Sequence, residues 1–316
     1  MNTKKYMLIG VLAIMSVIIF YSCEKDISVD LPRPESKITV EGFIEIDEYP
    51  IVFLTKNSGY FDVMDTIAVN NLIISNNDAT VIVTDAYNSM NIVDTLEPAI
   101  LPRWPYKGYK GKKIKGEIGK RYDLKILYDG KTYTSTTTIK QSIPIDSVWY
   151  IRPLKIDTLG YLSINWDNPV NYGDYFAITL KMSNQKWFYR PAMTHVINDK
   201  YLETNEKITM PYITKAYERN SYFPATNNED VNVLDIYLFK KNDTVSIKLS
   251  TIDEAAFVFW DSWYRNMMTE SNPFTNPSSV KSNIVGDNVN GYWIGYGSYI
   301  KTIYINEEYK VVVINH

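Results

Sequence analysis

The stretch YDLKILYDGKTYTSTTTI, residues 122–139, decides the fold class of this chain. Its first half alternates apolar with polar side chains, the apolar ones being Tyr122, Leu124, Ile126 and Tyr128. Such alternation is typical of a strand with one buried face. Asp129-Gly130 follows, and this dipeptide suits the positive φ angles of a two-residue hairpin turn. With Thr132–Ile139 as the returning strand, the stretch predicts an antiparallel β-hairpin.

Strand patterns recur on both sides of this hairpin. In Lys37–Ile46, an apolar face of Ile38, Val40, Ile44 and Ile46 is opposed by Thr39, Glu41 and Glu45. Further strands are predicted at Pro50–Lys56, Thr80–Thr84, Tyr175–Met182, Tyr292–Tyr304 and Lys310–Ile314. A second hairpin is predicted from Val231–Lys240, a turn at Asn242-Asp243, and Thr244–Ser250. The chain is therefore expected to be mostly β.

The length of the chain exceeds that of one small domain, so two β-sandwich domains of the immunoglobulin or fibronectin III-like kind are predicted. The first comprises residues 37–141 and the second residues 142–316. In the second, an early strand that contains Trp166 precedes a turn and the Tyr-rich strand Tyr175–Met182. This order resembles the opening of a fibronectin type III sandwich.

One segment favours a helix. Thr251-x-x-Glu254 has the form of a capping box, which places acidic groups at the positive end of a helix. Aromatic and apolar residues follow at helical spacing, and Asn272-Pro273 would end the pattern. The sequence therefore predicts one amphipathic helix at about 253–269, packed on the second sandwich.

The N-terminus has the pattern of a lipoprotein signal peptide, predicted over residues 1–22. Lys4 and Lys5 precede an apolar run, Tyr6–Tyr21, and the only cysteine of the chain, Cys23, follows Ser22. A membrane-spanning helix would need about 20 apolar residues, more than this run contains. A plain secretory signal, or a cysteine buried by chance, would each account for part of the pattern. The whole pattern predicts lipidation of Cys23, with residues 23–36 as a tether.

The charge and the motifs of the rest of the chain argue against several classes of protein. A net charge of −3 does not favour nucleic-acid binding. With two histidines and no recognised catalytic or phosphate-binding motif, no catalytic residue, metal site or cofactor is predicted. A pair of carboxylates of the glycosidase type stays open, because two acids suffice. The basic segment Gly108–Gly119 could bind an anionic ligand or protect strand edges.

Candidate contacts with a partner or ligand are predicted in two polar stretches and one late strand. Long loops in compact domains are often functional, and exposed aromatic residues often bind sugars or peptides. The candidate residues are Tyr217, Tyr222, Phe223, Asn272, Pro273, Phe274 and Trp293.

Several short motifs together resemble one family, the Bacteroidetes outer-membrane lipoproteins grouped as DUF4249, a domain of unknown function. The motifs are Cys23–Ile27, Ile38–Ile44, Val52–Asn57, Trp166–Pro169, Gly173–Phe176, Asn272–Pro277 and Ser282–Ile284. Gly286–Trp293 departs from the family, which usually has a Gly-Gly pair and an apolar Gly-rich strand there. The resemblance implies a lipoprotein that accompanies a TonB-dependent receptor, and it implies no catalytic residues.

The leading functional hypothesis is a non-catalytic protein anchored by acylated Cys23 in the outer membrane, at the cell surface or facing the periplasm. It would capture a ligand for a TonB-dependent receptor in nutrient uptake, or cover the mouth of that receptor. Two rival hypotheses are a secreted hydrolase of glycans or peptides with two catalytic carboxylates, and a surface adhesion or structural protein. A pair of buried acids in a cleft would favour the hydrolase.

The lipid anchor depends on the sulfur atom of Cys23. We expect Cys23→Ser to leave an uncleaved precursor that takes up no palmitate label, because acylation requires the thiol. Metabolic labelling and membrane fractionation measure this. Label on the substituted protein in the outer-membrane fraction would contradict the prediction.

Overall fold

Strands β7 (Arg121–Tyr128) and β8 (Lys131–Thr138) form the predicted hairpin. They pair antiparallel from Arg121↔Thr138 to Tyr128↔Lys131, and the turn residues Asp129 and Gly130 have φ angles of 49° and 70°. These positive angles match the right-handed twist of the two strands. The predicted hairpin is therefore confirmed in both register and turn.

The computed structural model describes residues 37–58, 65–75, 78–86, 92–103, 105–153, 158–168, 174–191, 196–201, 207–216, 236–270 and 279–314. These residues all belong to a single compact unit. The predicted signal peptide, Cys23 and the tether lie outside the described residues. So do six of the candidate contacts, namely Tyr217, Tyr222, Phe223, Asn272, Pro273 and Phe274.

The fold is mostly β, as predicted. The remaining strands are β1 (Ile38–Glu45), β2 (Ile51–Lys56), β3 (Ile73–Ile74), β4 (Ala79–Asp85), β5 (Ile92–Ile100), β6 (Lys107–Lys110), β9 (Ser147–Ile151), β10 (Leu159–Asp167), β11 (Tyr175–Met182), β12 (Val196–Asn198), β13 (Lys207–Ile213), β14 (Phe239–Lys240), β15 (Thr244–Ile252), β16 (Val289–Ile305) and β17 (Val311–Ile314). The helices are α1 (Thr66–Leu72) and α2 (Glu254–Glu270), with a short 3-10 turn at Asp199–Tyr201.

Thirteen of the described strands form one large sheet in the order β12-β11-β15-β16-β1-β2-β6-β5-β4-β7-β8, with β17 on β16 and β3 on β2. The pairing of β1 with β16 is parallel, and every other strand pairing of the described residues is antiparallel. Four further strands form a smaller sheet in which β13, β9 and β14 pair with β10.

The smaller sheet packs on the β11, β15 and β16 part of the large sheet, as in a sandwich. Trp166 on β10 contacts Phe176 on β11 across the layer, with ring centroids 5.3 Å apart. Both side chains are fully buried, and they share a core with isoleucine, leucine and valine from both sheets. The sandwich-like arrangement predicted for the C-terminal half is therefore present.

A second core lies under the N-terminal strands. The large sheet curls until β8 returns to the region of β16, where the Gly295 N–H donates to Thr137 Oγ1 at 2.7 Å. Backbone bonds also join Thr134 to Val285 in both directions, at 3.0 and 2.8 Å. Because β16 contributes to both cores, the predicted boundary between residues 141 and 142 does not separate two independent sheets.

Trp293 of β16 fills the N-terminal core. Its side chain is completely buried, and its indole N–H donates to the carbonyl oxygen of Tyr122 at 2.9 Å. Across the parallel pairing, Gly42 leaves room for the ring, since a Cβ there would lie 2.8 Å from Trp293 Cε3. The prediction that Trp293 contacts a partner is corrected, because a side chain in the interior presents no surface to one.

Helix α2 is present at nearly the predicted bounds, but the predicted capping box is wrong. Asp253 caps the helix, with its Oδ1 atom accepting from the Ala256 N–H at 2.8 Å. Its Oδ2 atom accepts from the Thr137 hydroxyl at 2.6 Å, which attaches the helix to β8. Thr251 is instead a buried residue at the end of β15. The N-cap is therefore Asp253, two residues after Thr251, because β15 continues to Ile252.

The predicted hairpin of Val231–Lys240 with Thr244–Ser250 is also wrong in the described part. Phe239–Lys240 pairs with β10 in the smaller sheet. Strand β15 already pairs with β11 on one side and β16 on the other. A strand has two hydrogen-bonding edges, and both edges of β15 are already paired. Residues 239–240 therefore cannot pair with it. Helix α1, capped by Asp65, was not predicted.

Gly130 provides a local test of the hairpin. No atom lies within 4 Å of the position of an added Cβ, so a substitution there acts through the backbone alone. We expect Gly130→Val to lower the free energy of unfolding by about 1–3 kcal/mol, because a β-branched residue resists positive φ. Asn tolerates this conformation, so Gly130→Asn is the matched control and should cost much less. Equal denaturation midpoints for both variants would contradict the turn.

Trp293 provides a test of the core. We expect Trp293→Ala to lower the free energy of unfolding by about 3–5 kcal/mol, because it removes the largest kind of buried side chain and leaves a cavity. Trp149 is 42% exposed on β9, and Trp149→Ala should cost far less. Chemical denaturation measures both. A similar cost for the two variants would mean that Trp293 does not support the core.

Candidate ligand-binding cleft

A cavity of about 910 Å³, here called the cleft, opens on the face of the large sheet that points away from the two cores. Its floor is built by alternation along the strands. On β1, Glu41, Phe43 and Glu45 line the cleft, whereas Val40 and Ile44 enter the N-terminal core. The sequence pattern predicted these two faces, and the structure confirms them.

The neighbouring strands supply the rest of the floor in the same way. Lys248 and Ser250 of β15 face the cleft, while Leu249 between them is buried in the C-terminal core. Tyr292 and Tyr296 of β16 also face it. Because residues paired across strands share a face, the register Glu41↔Tyr292 and Glu45↔Tyr296 brings each carboxylate beside a phenol.

Two elements form the walls. The segment Lys186–Arg190, here called the strap, follows β11 and is fixed by paired backbone bonds between Leu180 and Tyr189, at 2.7 and 2.8 Å. Within it, Trp187 contacts Phe43 edge-on at 6.1 Å between ring centroids. Helix α2 forms the other wall with Phe259, Trp260 and Trp263.

The acidic side chains of the floor are held by cations. Glu45 accepts from Lys248 Nζ at 3.0 and 2.7 Å, and Lys248 is only 8% exposed. Glu41 forms an ion pair with Arg103, whose guanidinium also lies over the ring of Phe53 at 5.2 Å. Each acid of the floor is therefore held in place by a cation.

Aromatic rings surround the cations of the cleft. The guanidinium of Arg190 packs against the ring of Trp260 and lies 5.8 Å from the centroid of Trp263. Lys248 Nζ lies 4.2 Å from the centroid of Phe188, and Lys181 Nζ lies 5.0 Å from it. Such contacts stabilise a cation that has lost part of its hydration.

The phenols of the floor are hydrogen-bond donors over an extended pH range. Burial raises the pKa of Tyr292, and the charge of Glu41 raises it further. Burial likewise raises the pKa of Tyr296, with Tyr292 as the next cause. Both hydroxyls therefore stay protonated beyond the pH at which an exposed tyrosine ionises.

Glu41 and Glu45 form no catalytic pair of the glycosidase type. They lie four residues apart on one strand, which separates them by about 13 Å at the usual rise of a strand. Glycosidase carboxylates lie about 5 to 9.5 Å apart, and the acid of the pair must be protonated when the substrate binds. Glu41 is paired with Arg103, and Glu45 is paired with Lys248.

The basic segment Gly108–Gly119 is anchored at its centre. Asp94, which is 1% exposed, accepts with Oδ2 from the backbone N–H groups of Lys112, Lys113 and Ile114 at 2.9, 2.8 and 3.0 Å. Of the lysines in this segment, Lys110 lines the cleft. The segment therefore contributes one cation to the site, and the others lie elsewhere on the surface of β6 and the turn after it.

The residues of the strap were missed by sequence reasoning. Four residues separate the end of the predicted strand Tyr175–Met182 from Trp187-Phe188-Tyr189-Arg190. A run of three aromatic residues and an arginine soon after a strand was the available signal. Trp260 and Trp263 are among the aromatic residues at helical spacing in α2, where Trp260 is buried and Trp263 is half-buried. Among the described residues, Trp293 is the one predicted contact. It lies in the core and does not line the cleft.

Among the described residues, no helix combines the length and apolarity that crossing a membrane requires.

Comparison with known proteins places the chain in a family. The family model described as Domain of unknown function (DUF4249) matches residues 24–301, which is most of the chain. No curated protein matches the chain. The matched region contains every strand from β1 to β15, helix α2 and most of β16, and thus the whole cleft. The chain belongs to the DUF4249 family, as the order of its motifs predicted.

Proposed function

We propose that this chain is a lipid-anchored protein of the bacterial outer membrane that captures a ligand in the cleft and passes it to a TonB-dependent receptor. The observation that carries the proposal is the cleft itself. Its volume of about 910 Å³ lies within the range of small-molecule sites. Its lining combines aromatic rings with charged groups that are already fixed by ion pairs, as in a site formed before the ligand arrives.

The anchor is supported by the sequence alone. Cys23 follows a basic and apolar N-terminus, and no other cysteine competes for acylation. Each acyl methylene placed in a bilayer contributes about 0.8 kcal/mol, and stable anchoring requires about two chains. A lipidated Cys23 would satisfy this requirement. The tether of residues 23–36 would then separate the folded part from the membrane.

A partner in the same membrane follows from the anchor. A lipidated protein diffuses in two dimensions, so a membrane receptor is encountered often even when their affinity is modest. Members of this family are expected in Bacteroidetes beside TonB-dependent receptors. Residues 217–223 and 272–274 are the proposed contacts with the receptor, while the cleft holds the ligand.

The hydrolase is the second candidate, because Glu41 and Glu45 are partly buried acids in one cleft. Their separation and their ion pairs favour binding over acid–base catalysis. The two functions differ in one measurement. Turnover of a glycan or peptide by the purified protein, abolished by Glu41→Gln or Glu45→Gln, would replace ligand capture with hydrolysis.

Co-purification tests the receptor partnership. We expect the tagged lipoprotein, isolated from solubilised outer membranes of its own host, to bring a TonB-dependent receptor with it, identified by mass spectrometry. Alanine at Tyr222, Phe223 and Phe274 together should reduce receptor recovery about tenfold or more, because aromatic residues dominate most interfaces. Trp149→Ala alters an exposed aromatic residue outside these two stretches and is the control.

One result would count against the partnership, and another would count against the proposed contact residues. One is the absence of any TonB-dependent receptor among the co-purified proteins when the anchor is intact. The other is equal recovery of the receptor by the triple variant and by Trp149→Ala, with unchanged unfolding midpoints. The second result would mean that the receptor binds through other residues of this chain.

A further inference from the structure

We propose that the ligand of the cleft is a neutral oligosaccharide, whose hydroxyl groups bond to the polar floor and one of whose rings stacks on Trp187 of the strap. This inference rests on the proposed role of the cleft as a ligand site, and it is independent of the anchor and of the receptor. Three features of the cleft carry it, namely the balance of its charges, the polar groups of its floor and the position of Trp187.

The charges of the floor balance within the protein. Glu41 is paired with Arg103 and Glu45 with Lys248, and none of these four side chains is more than 21% exposed. Two acids and two cations sum to zero. A charged ligand placed here would lose its water without gaining an unpaired counter-ion, and burying a charge in that way is costly. The floor therefore favours a ligand without charge.

The other charged residues of the lining leave this balance at the floor unchanged. The guanidinium of Arg190 occupies the corner between Trp260 and Trp263, so neither this cation nor the corner is offered to a ligand. The remaining charged residues are half-buried or exposed, and they are Asp47, Glu48, Lys110, Lys181 and Lys186. Charges that keep contact with water are screened by salt, so they select an ion only weakly.

The floor presents hydrogen-bonding groups of both kinds. The two oxygens of Glu45 accept from Lys248 at 3.0 and 2.7 Å, which uses about two of the four lone-pair sites of a carboxylate. Half-buried hydroxyl side chains that both donate and accept also line the cleft, namely Thr39, Thr179 and Ser298. Sugar hydroxyls donate and accept as well, so they match this set. A ligand carboxylate only accepts, so it would gain nothing from the remaining lone pairs of Glu45.

A row of small side chains gives the floor its depth. Ala177, Ser250 and Ser298 lie side by side on β11, β15 and β16, in the registers Ala177↔Ser250 and Ser250↔Ser298. All three line the cleft, and the hydroxyls of Ser250 and Ser298 hydrogen-bond to each other at 2.9 Å. The cavity of about 910 Å³ is near the upper end of the range for ligand sites, which is roughly 300–1,000 Å³. This space suits several sugar rings better than one.

Trp187 offers a surface on which a sugar ring can stack. The indole is half-buried and contacts Phe43 edge-on, so the ring is held in place while part of it borders the cleft. Among the described residues, no cation lies over the ring of Trp187, whereas Lys181 and Lys248 both lie beside the ring of Phe188. One face of a sugar ring is formed by C–H groups and packs on an aromatic ring, while the hydroxyls bond to polar groups around it.

Isothermal titration of the purified full-length protein, in a detergent without a sugar head group, tests the ligand class. The neutral probes are cellotetraose, maltotetraose, xylotetraose and mannotetraose. Tetragalacturonate is the acidic counterpart, and 2-naphthol is a neutral aromatic compound that could stack on Trp187 but would leave most polar groups of the floor without partners. We expect at least one neutral tetrasaccharide to bind about tenfold or more tightly than both. Its affinity should change by less than about twofold between about 0.05 and 0.5 M salt, because no ion pair forms with it.

Substitution of Trp187 locates the stacked ring. Trp187→Ala should weaken binding of that tetrasaccharide about tenfold or more, because the surface for stacking is lost. Trp149→Ala, which alters an exposed tryptophan outside the cleft, should leave the affinity unchanged. Unfolding midpoints show whether each variant is folded.

Substitution of the serine pair tests the floor, and it tests the same site if Trp187→Ala does not fold. Ser250→Ala with Ser298→Ala should weaken binding about fivefold, because both hydroxyls of the row are lost together. Ser246→Ala with Thr302→Val is the matched control. These two hydroxyls are also 3.0 Å apart on β15 and β16, but they do not line the cleft, so their loss should leave the affinity unchanged.

Three outcomes would overturn the inference. If tetragalacturonate or 2-naphthol binds more tightly than every neutral tetrasaccharide, and Trp187→Ala weakens that binding, ligand capture stays and the sugar is excluded. If a neutral tetrasaccharide binds but neither Trp187→Ala nor the serine pair weakens it, the sugar binds elsewhere. If no probe binds, both the sugar and the role of the cleft lose their support. Receptor co-purification is measured separately, so its failure leaves the ligand chemistry intact.

Discussion

The parallel pairing of β1 with β16 is the interaction on which the rest of the structure depends. It joins residues about 250 positions apart, from Ile38↔Val289 to Glu45↔Tyr296. Because side chains alternate across a sheet, this one register sorts both strands at once. It places Gly42 under Trp293 on the core side and Glu41 beside Tyr292 on the cleft side. A slip of one residue would exchange the core with the cleft.

This dependence explains why the two halves of the chain do not form separate sheets. Strand β16 is 17 residues long, and its two ends serve different cores. Near its start, Trp293 bonds to Tyr122 of the N-terminal strands, and near its end Ile303 and Ile305 are buried against the smaller sheet. A single strand in both cores couples their stability, so a core substitution such as that of Trp293 is expected to affect the cleft as well.

The ion pairs of the cleft floor fix the positions of side chains more than they stabilise the fold. Removing Lys248 and Glu45 from water costs free energy that their mutual attraction offsets only in part, so such pairs are weak evidence for stability. Their effect here is geometric, because they fix both carboxylates against the floor. Lys181 on β11 and Arg190 on the strap also lie over aromatic rings.

The sequence by itself determined the local features of this protein. Alternation predicted β1 with its two faces, and Asp129-Gly130 predicted the turn between β7 and β8, because both depend on contacts within a few residues. The order of the motifs predicted the family. The predicted helix was right in position but wrong in its cap, since Asp253 and Thr251 are both chemically suitable and the end of β15 decided between them.

Only the tertiary structure decided what is non-local. Trp293 was predicted as a surface contact because the sequence of a strand does not show which face of the sheet is covered. The structure buries it against strands that precede it by about 170 residues. Likewise, no local pattern brings the strap, α2 and β1 around one cavity. Local pattern fixes the alternation of a strand, whereas pairing partners, buried edges and the cleft depend on long-range register, which the free energy of the whole fold selects.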